Sequence, residues 1–219
     1  MLVLTIHAAS RPVRFQSTQG SKYVEIKEID RAHDDAPEGE SPRDSITYSV
    51  DFLNKEEKVI KSAKFFAEND LSFSPEMVFK EIKWSPNEEI AILPQSKGGW
   101  GYSPHGIFNL TQKYGWEKSE VISPRFNPVW NGNFKFYFVG ESDDFIPSIM
   151  EFDVKMNVAK LLKKGSRHFH YYMVKLAGGE LLMRKVPFNG DVEVANPVPL
   201  CASFSIQSAE FKDIECPSL

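Results

Sequence analysis

Hydrophobic and polar residues alternate along many short stretches of this chain, which is the pattern of half-buried β-strands. Residues that favour turns separate these stretches, and 14 prolines spread along the chain disfavour long helices. The pattern predicts a mainly β fold, a single-domain antiparallel sandwich or barrel with one or two short helices. The predicted strands are LVLTI, YVEIKEI, SITYSVDFL, MVFKEIKW, EIAILP, NFKFYFVG, HFHYYMVKL, LLMRKVPF and PLCASFSI.

The segment VIKSAKFF can be a strand or a helix. As a strand it follows the turn NKEEK and completes a hairpin with SITYSVDFL. As a helix it would follow a capping box formed by Asn54 and Glu57. The β-branched pair Val59 and Ile60, and the clear strand before them, favour the hairpin.

The segment SIMEFDVKMNVAKLL also fits two patterns. Phe152 and Val154 continue a strand-like alternation, whereas Val154, Val158 and Leu161 have helical spacing and are followed by Gly165. We expect a strand that passes into a short helix.

Two other segments give sharper expectations. Gly178 and Gly179, between two apolar runs, predict a tight β-hairpin. In NFKFYFVG, Phe134, Phe136 and Phe138 are two residues apart, so we expect them to share one buried face of a strand.

One pattern occurs twice in the chain. IKWSPNEEIAILP and PVWNGNFKFYFVG place Trp84 and Trp130 46 residues apart, and each tryptophan precedes a turn and an apolar strand. The first segment resembles the inner-strand pattern of a β-propeller blade, and the spacing is close to one blade. The resemblance implies propeller-like β-sheet blades as a less favoured alternative architecture.

Length and charge set the domain and partner predictions. The 219 residues suffice for a single β-rich domain over residues 1–219. Residues 30–44 hold six acidic residues and no apolar side chain larger than alanine, which predicts a solvated loop. The formal net charge of −4 disfavours nucleic acid, and no apolar run approaches the roughly 20 residues that span a bilayer. We expect a protein or small-molecule partner, no nucleic acid and no membrane.

The two cysteines, Cys201 and Cys216, help to predict the cellular compartment of the protein. Two thiols alone make neither a metal site nor a disulfide framework. We expect reduced thiols in a cytoplasmic protein, with a single disulfide near the C-terminus as the alternative.

Residues 96–108, SKGGWGYSPHGIF, are the candidate contact loop. They combine four glycines with Trp100, Tyr102 and His105. Glycine makes a loop adaptable, and Trp and Tyr supply large contact areas at binding sites. We expect Trp100, Tyr102 and His105 to contact a ligand or partner.

His168 and His170, in RHFHYYM, are the candidate metal pair. Residues two apart on a strand face the same way, so both imidazoles would project together. The pair resembles the first histidine pair of the cupins, which implies a metal-dependent barrel enzyme as the alternative function. Cupins place a glutamate a few residues later, whereas the first acid here is Glu180. We therefore favour a metal-free pair on a polar strand face, and expect no cofactor.

Common catalytic motifs do not occur in this sequence. G-x-S-x-G, H-E-x-x-H and C-x-x-C are all missing. Their absence favours a binding role and leaves the question of an enzyme open, because catalytic groups can come from scattered positions. The sequence therefore predicts a soluble ligand-binding or protein-interaction module with its contact surface on residues 96–108.

Overall fold

The computed structural model describes residues 11–34, 43–68, 73–97, 103–123, 126–141, 146–187 and 200–216. Within these ranges the chain forms seventeen β-strands and one helix of seven residues, α1 (Pro75–Glu81). The predicted mainly β class is confirmed. No helix of the described ranges is long and apolar enough to cross a membrane.

The chain divides into two compact units. The first comprises Met1–Trp100 and Gly106–Thr111, and the second comprises Gly101–His105 and Gln112–Leu219. Each unit has a hydrophobic core made of its own residues. Two compact units can belong to one domain, so the single domain over residues 1–219 stays a prediction.

The first unit contains α1 and the first strands of the chain. These strands are β1 (Val13–Gln16), β2 (Tyr23–Asp34), β3 (Arg43–Leu53), β4 (Val59–Glu68), β5 (Lys83–Trp84), β6 (Ile90–Pro94), β7 (Ser96–Lys97) and most of β8 (Ser103–Asn109). One sheet has the order β1-β2-β3-β4-β7, and β5, β6 and β8 are neighbours in another. Register places Val24 opposite Phe52 and Ile26 opposite Val50, all fully buried in the first core.

The hairpin predicted for VIKSAKFF is confirmed. Strand β4 pairs antiparallel with β3, with Tyr48 opposite Phe65 and both side chains buried. In the turn, the Asn54 side-chain oxygen accepts a hydrogen bond from the Lys58 N–H at 2.9 Å, and Glu57 has a φ of 61°. Asn54 therefore stabilises a turn instead of capping a helix.

The strand predicted for MVFKEIKW is wrong. Most of the segment lies in α1, and only Lys83–Trp84 form a strand. Ser74 has extended backbone and Pro75 follows it in the first helical turn, an arrangement that starts helices. Val78 is fully buried in the first core and Phe79 packs against the same core, so two adjacent apolar residues anchor the short helix.

The acidic loop predicted for residues 30–44 is shorter than expected. Strand β2 continues to Asp34 and β3 begins at Arg43, with Ala32 opposite Ser45. Backbone pairing can extend a strand whose side chains are exposed, such as Arg31. Residues 35–42 lie outside the described residues.

The second unit contains two sheets of consecutive strands. Its strands are β9 (Lys118–Ser123), β10 (Val129–Asn131), β11 (Lys135–Glu141), β12 (Pro147–Asp153), β13 (Val158–Lys164), β14 (Phe169–Ala177), β15 (Glu180–Pro187), β16 (Leu200–Ser205) and β17 (Glu210–Ile214). The orders β10-β11-β12-β13 and β14-β15-β16-β17 are antiparallel throughout. A four-stranded sheet with this connectivity is the unit of a propeller blade. The sheets therefore match the propeller-like alternative.

The short helix expected in SIMEFDVKMNVAKLL is wrong, because the segment is the β12–β13 hairpin. The Asp153 carboxylate accepts hydrogen bonds from the N–H groups of Lys155 and Met156, at 2.9 and 3.0 Å. Asn157 adopts a φ of 54°, which closes the turn. Val158 and Leu161 of the supposed helical stripe are exposed.

The C-terminal region confirms one expectation and corrects two. Gly178 and Gly179 have φ values of 59° and 82° in the predicted β14–β15 turn, as a type I′ turn requires. The sequence predicts no strand after PLCASFSI, whereas β17 follows it. The expected reduced thiols are wrong: Cys201 and Cys216 form a disulfide, the stated alternative.

Strand β11 is more buried than its alternation predicts. Phe136 and Phe138 are buried as expected, whereas Phe134 precedes the strand and is half-buried. Tyr137 and Val139 on the opposite face are buried as well. Both faces of β11 therefore contribute to packing.

Candidate functional site

The predicted contact loop is described only near its ends. Trp100 and Tyr102 lie outside the described residues. His105 lies in β8, is 7% exposed, and stacks on the Phe126 ring with 4.6 Å between centroids and 27° between planes. Phe126 also contacts Phe138, at 5.6 Å between centroids. His105 thus packs inside the second unit, and the binding role of the three residues stays a prediction.

The structure places the two histidines of the candidate metal pair in different elements. His168 is exposed in the turn before β14, and His170 is half-buried within that strand. Tyr171 and Met173, which point to the opposite face from His170, belong to the second core. Across the described part of the chain, no three His, Cys, Asp or Glu side chains are grouped to hold a metal ion. The metal-free state of the pair stays a prediction.

A buried carboxylate, Glu88, is a residue that the sequence analysis did not single out. It is fully buried in the turn between β5 and β6, with a φ of 54°. Its carboxylate accepts hydrogen bonds from the hydroxyls of Ser17 at 2.7 Å and Ser21 at 2.6 Å. The backbone N–H groups of Gln19 and Ser21 also donate to it. Glu88 therefore holds the β1–β2 turn in place.

Two opposing effects act on the pKa of Glu88. Burial disfavours the charged carboxylate and raises the pKa. The hydrogen bonds from Ser21, Ser17 and the backbone favour the charged form, and together they hold the pKa below its ordinary value. Because the Glu88 oxygens are already occupied by donors of the chain, its role is structural.

A surface of different character lies on the β12–β13 hairpin. Three apolar side chains are exposed there: Met156 by 71%, Val158 by 53% and Leu161 by 41%. They are three of the eight large hydrophobic side chains that the described ranges leave exposed, so they are concentrated here. The ten residues from Lys155 to Lys164 include four exposed lysines and no acid. The surface, called the basic edge below, consists of Lys155, Met156, Val158, Lys160, Leu161, Lys163 and Lys164.

A β-bulge in β13 determines which of its side chains lie on each face of the sheet. Lys163 lies opposite Ile149 and Leu161 opposite Met150, so Leu162 is the extra residue between them. Leu162 packs against the second core. As a result Val158, Lys160 and Lys163 share one face of the strand, and Ala159, Leu161 and Lys164 share the other.

The acids that lie opposite β13 on the neighbouring strand β12 are already engaged in ion pairs. Glu151 lies directly opposite Lys160, but its carboxylate is 2.9 Å from the ammonium of Lys135. Asp153 is 3.6 Å from the same ammonium. The hydrogen bond to Glu151 raises the pKa of Lys135 above its ordinary value. Lys160 and Lys163 form no ion pair with any residue that the structure describes.

No family model and no curated protein matches this chain. Among solved structures, it is similar to the β-propeller domain of the Trilobed protease from Pyrococcus furiosus, with 10% identity and a TM-score of 0.47. That alignment covers 94% of this chain and 57% of the other.

Two further solved structures are similar. TolB from Acinetobacter baumannii is 11% identical, with a TM-score of 0.39, over 76% of this chain and 37% of that one. A puromycin-hydrolyzing peptidase from Mycobacterium tuberculosis is 12% identical, with a TM-score of 0.45, over 95% of this chain and 31% of that one. The chain thus spans about a third to just over half of the length of the structures it resembles.

Proposed function

We propose that this chain is a protein-interaction module and that the basic edge on β13 is its contact surface. The observation that carries the proposal is the concentration on one hairpin of exposed apolar side chains beside Lys160 and Lys163, which form no ion pair with a described residue. Exposed apolar groups rimmed by polar ones are typical of interaction sites.

The energetics support contact with a partner. Full burial of a Val, Leu or Met side chain contributes about 1.5–3 kcal/mol. The side chains of Met156, Val158 and Leu161 are 41% to 71% exposed, so each can still contribute roughly 1 kcal/mol when a partner covers it. Lys160 and Lys163 add charge complementarity, which speeds association and selects the partner.

Site-specific photo-crosslinking tests the proposal. A benzoylphenylalanine replaces Leu161 on the basic edge, Tyr102 on the predicted loop, or Lys212 on β17 as the control. We expect a defined protein from native extract to crosslink at position 161 and not at 212. Once purified, this protein should bind the chain about tenfold more weakly after Lys160→Glu and Lys163→Glu together, which is about 1.4 kcal/mol.

The same experiment decides between surfaces. Crosslinking at 102 alone would place the contact on residues 96–108, as the sequence predicts, and overturn the basic edge. Equal crosslinking at 161 and 212 would mean that neither edge strand is a specific contact. For the alternative function, a metal-dependent enzyme on His168 and His170, elemental analysis of the purified chain is the test.

The cytoplasmic location stays a proposal, and the disulfide weighs against it. Disulfides such as Cys201–Cys216 persist mainly in oxidising compartments. Fractionation of native cells, followed by detection of the chain, decides the location.

A further inference from the structure

We infer that the basic edge binds an acidic, extended peptide segment of another protein, which adds to β13 as a fifth strand of its sheet. The inference rests on the proposed function, because it names the partner chemistry and the binding mode of the same surface.

The backbone of β13 offers the first reason. The strand is terminal in the sheet β10-β11-β12-β13, and β12 is its pairing partner among the described strands. The outer edge of a terminal strand presents N–H and C=O groups that an extended peptide can pair with. An added strand would satisfy these groups with main-chain hydrogen bonds.

The side chains give the second reason. Apolar and basic residues occur on both faces of β13, with Val158, Lys160 and Lys163 on one face and Leu161 and Lys164 on the other. A flat surface such as a membrane would contact one face only. An added strand has neighbours on both faces, because its side chains alternate like those of β13.

Charge specifies the peptide. No acid occurs between Lys155 and Lys164, and the two carboxylates opposite β13 on the neighbouring strand, Glu151 and Asp153, are within 4 Å of the Lys135 ammonium. Opposite charges directly across a strand pair are stabilising and like charges are destabilising. Glutamate or aspartate in the added strand would therefore lie beside Lys160 and Lys163.

Lysines on edge strands can also serve to prevent aggregation, and β17 shows how the two cases differ. β17 is the terminal strand of the other sheet in the second unit. It carries Glu210, Lys212 and Asp213, charges of both signs, and none of its side chains is a large exposed hydrophobic. Charge alone is enough to protect an edge strand from aggregation. The basic edge differs because it carries only positive charges and also exposes the apolar residues Val158 and Leu161.

Binding of a defined peptide to the full chain tests the inference. The probe is a fluorescein-labelled, C-terminally amidated ten-residue peptide that alternates glutamate with valine or threonine. We expect saturable binding by fluorescence anisotropy, and slower hydrogen exchange at the amides of Val158–Lys164. Lys160→Glu with Lys163→Glu should weaken binding at least about tenfold, or about 1.4 kcal/mol. The matched control, Lys212→Glu on β17, should change it less than twofold.

A second peptide separates strand addition from simple charge attraction. It has the same sequence with N-methyl groups on alternate amides, which removes backbone donors and keeps every charge. We expect it to lose binding. Equal binding of both peptides, or no protection of β13 amides by the first, would overturn strand addition.

Other occupants of the surface give distinct results. Sedimentation of the chain with phosphatidylserine vesicles, lost in the Lys160 and Lys163 variant while the peptide does not bind, would assign the surface to lipid. Self-association of the pure chain with protection of β13 would assign it to a second copy. Crosslinking of a protein at position 161 without peptide binding would leave the proposed function standing and overturn this inference alone.

Discussion

Glu88 joins parts of the chain that are 71 residues apart in sequence, through its hydrogen bond with the Ser17 hydroxyl. A buried carboxylate is tolerated only where hydrogen bonds compensate for lost solvation, and here two serines and two backbone N–H groups do so. The carboxylate therefore stabilises the first unit in its charged form.

Replacing this carboxylate should reduce stability in a pH-dependent way. Glu88→Gln should lower the free energy of unfolding by about 1–3 kcal/mol at pH 7, because its donors lose a charged acceptor. The pKa of Glu88 is lowered by folding. The carboxylate's contribution is therefore present above the ordinary pKa of about 4.3, and it is lost as the pH falls through the lower folded value. Urea denaturation at pH 7, 5 and 3 measures it.

The control for this prediction is Glu56→Gln, which alters an exposed turn residue of the same unit and should leave stability unchanged. A difference between wild type and Glu88→Gln that is as large at pH 3 as at pH 7 would contradict a role for the charge.

The sequence could not identify Glu88 as important, because its donors lie in a distant turn that only the fold brings close. The two glycines at 178 and 179 were predictable, since their turn depends on adjacent residues. The exposure of Val158 and Leu161 was not predictable from the sequence, because it depends on β13 being the terminal strand of its sheet.

Among the elements, β11 should tolerate truncation least. The Phe136 ring contacts Trp130 at 4.9 Å and stacks on Phe152 at 5.1 Å between centroids. Phe136→Ala should lower the free energy of unfolding by about 3–5 kcal/mol, because it leaves a cavity in a fully buried position. Urea denaturation followed by tryptophan fluorescence measures the loss.

Phe134→Ala is the matched comparison within the same segment. Phe134 is half-buried and its ring is 4.1 Å from the ammonium of Lys155, so the loss should be less than half as large. Equal losses in the two variants would mean that all three phenylalanines share one buried face after all.

Alternating hydrophobicity predicted strands well where turn residues bounded them, as at β3, β6 and β11. The alternation pattern failed where the signal for a helix start lay outside the alternating segment. Ser74 and Pro75 precede MVFKE and start a helix there. The sequence pattern also failed at β13, because the exposed residues Val158 and Leu161 have the spacing of a helical stripe.

For the whole molecule, the disulfide is the covalent constraint that can be tested directly. Cys201 and Cys216 are 15 residues apart and close a loop around the β16–β17 hairpin. Closure of a loop of this size contributes about 3 kcal/mol in the chain-entropy description. Cys201→Ser with Cys216→Ser should therefore lower the melting temperature.

Mass spectrometry provides the readout for the bond itself. The intact chain purified without reductant should gain the mass of two hydrogens on reduction. Free thiols in the chain isolated from native cells would show that the bond does not form there, and would agree with the cytoplasmic location.

The order of strands in the second unit has a consequence for how the chain folds. In both of its sheets every strand pairs with the strand next to it in sequence. Pairing between sequence neighbours lowers the contact order, so less chain entropy is lost before each contact forms. Folding should therefore proceed hairpin by hairpin within each sheet, faster than in all-β proteins whose sheets pair distant strands.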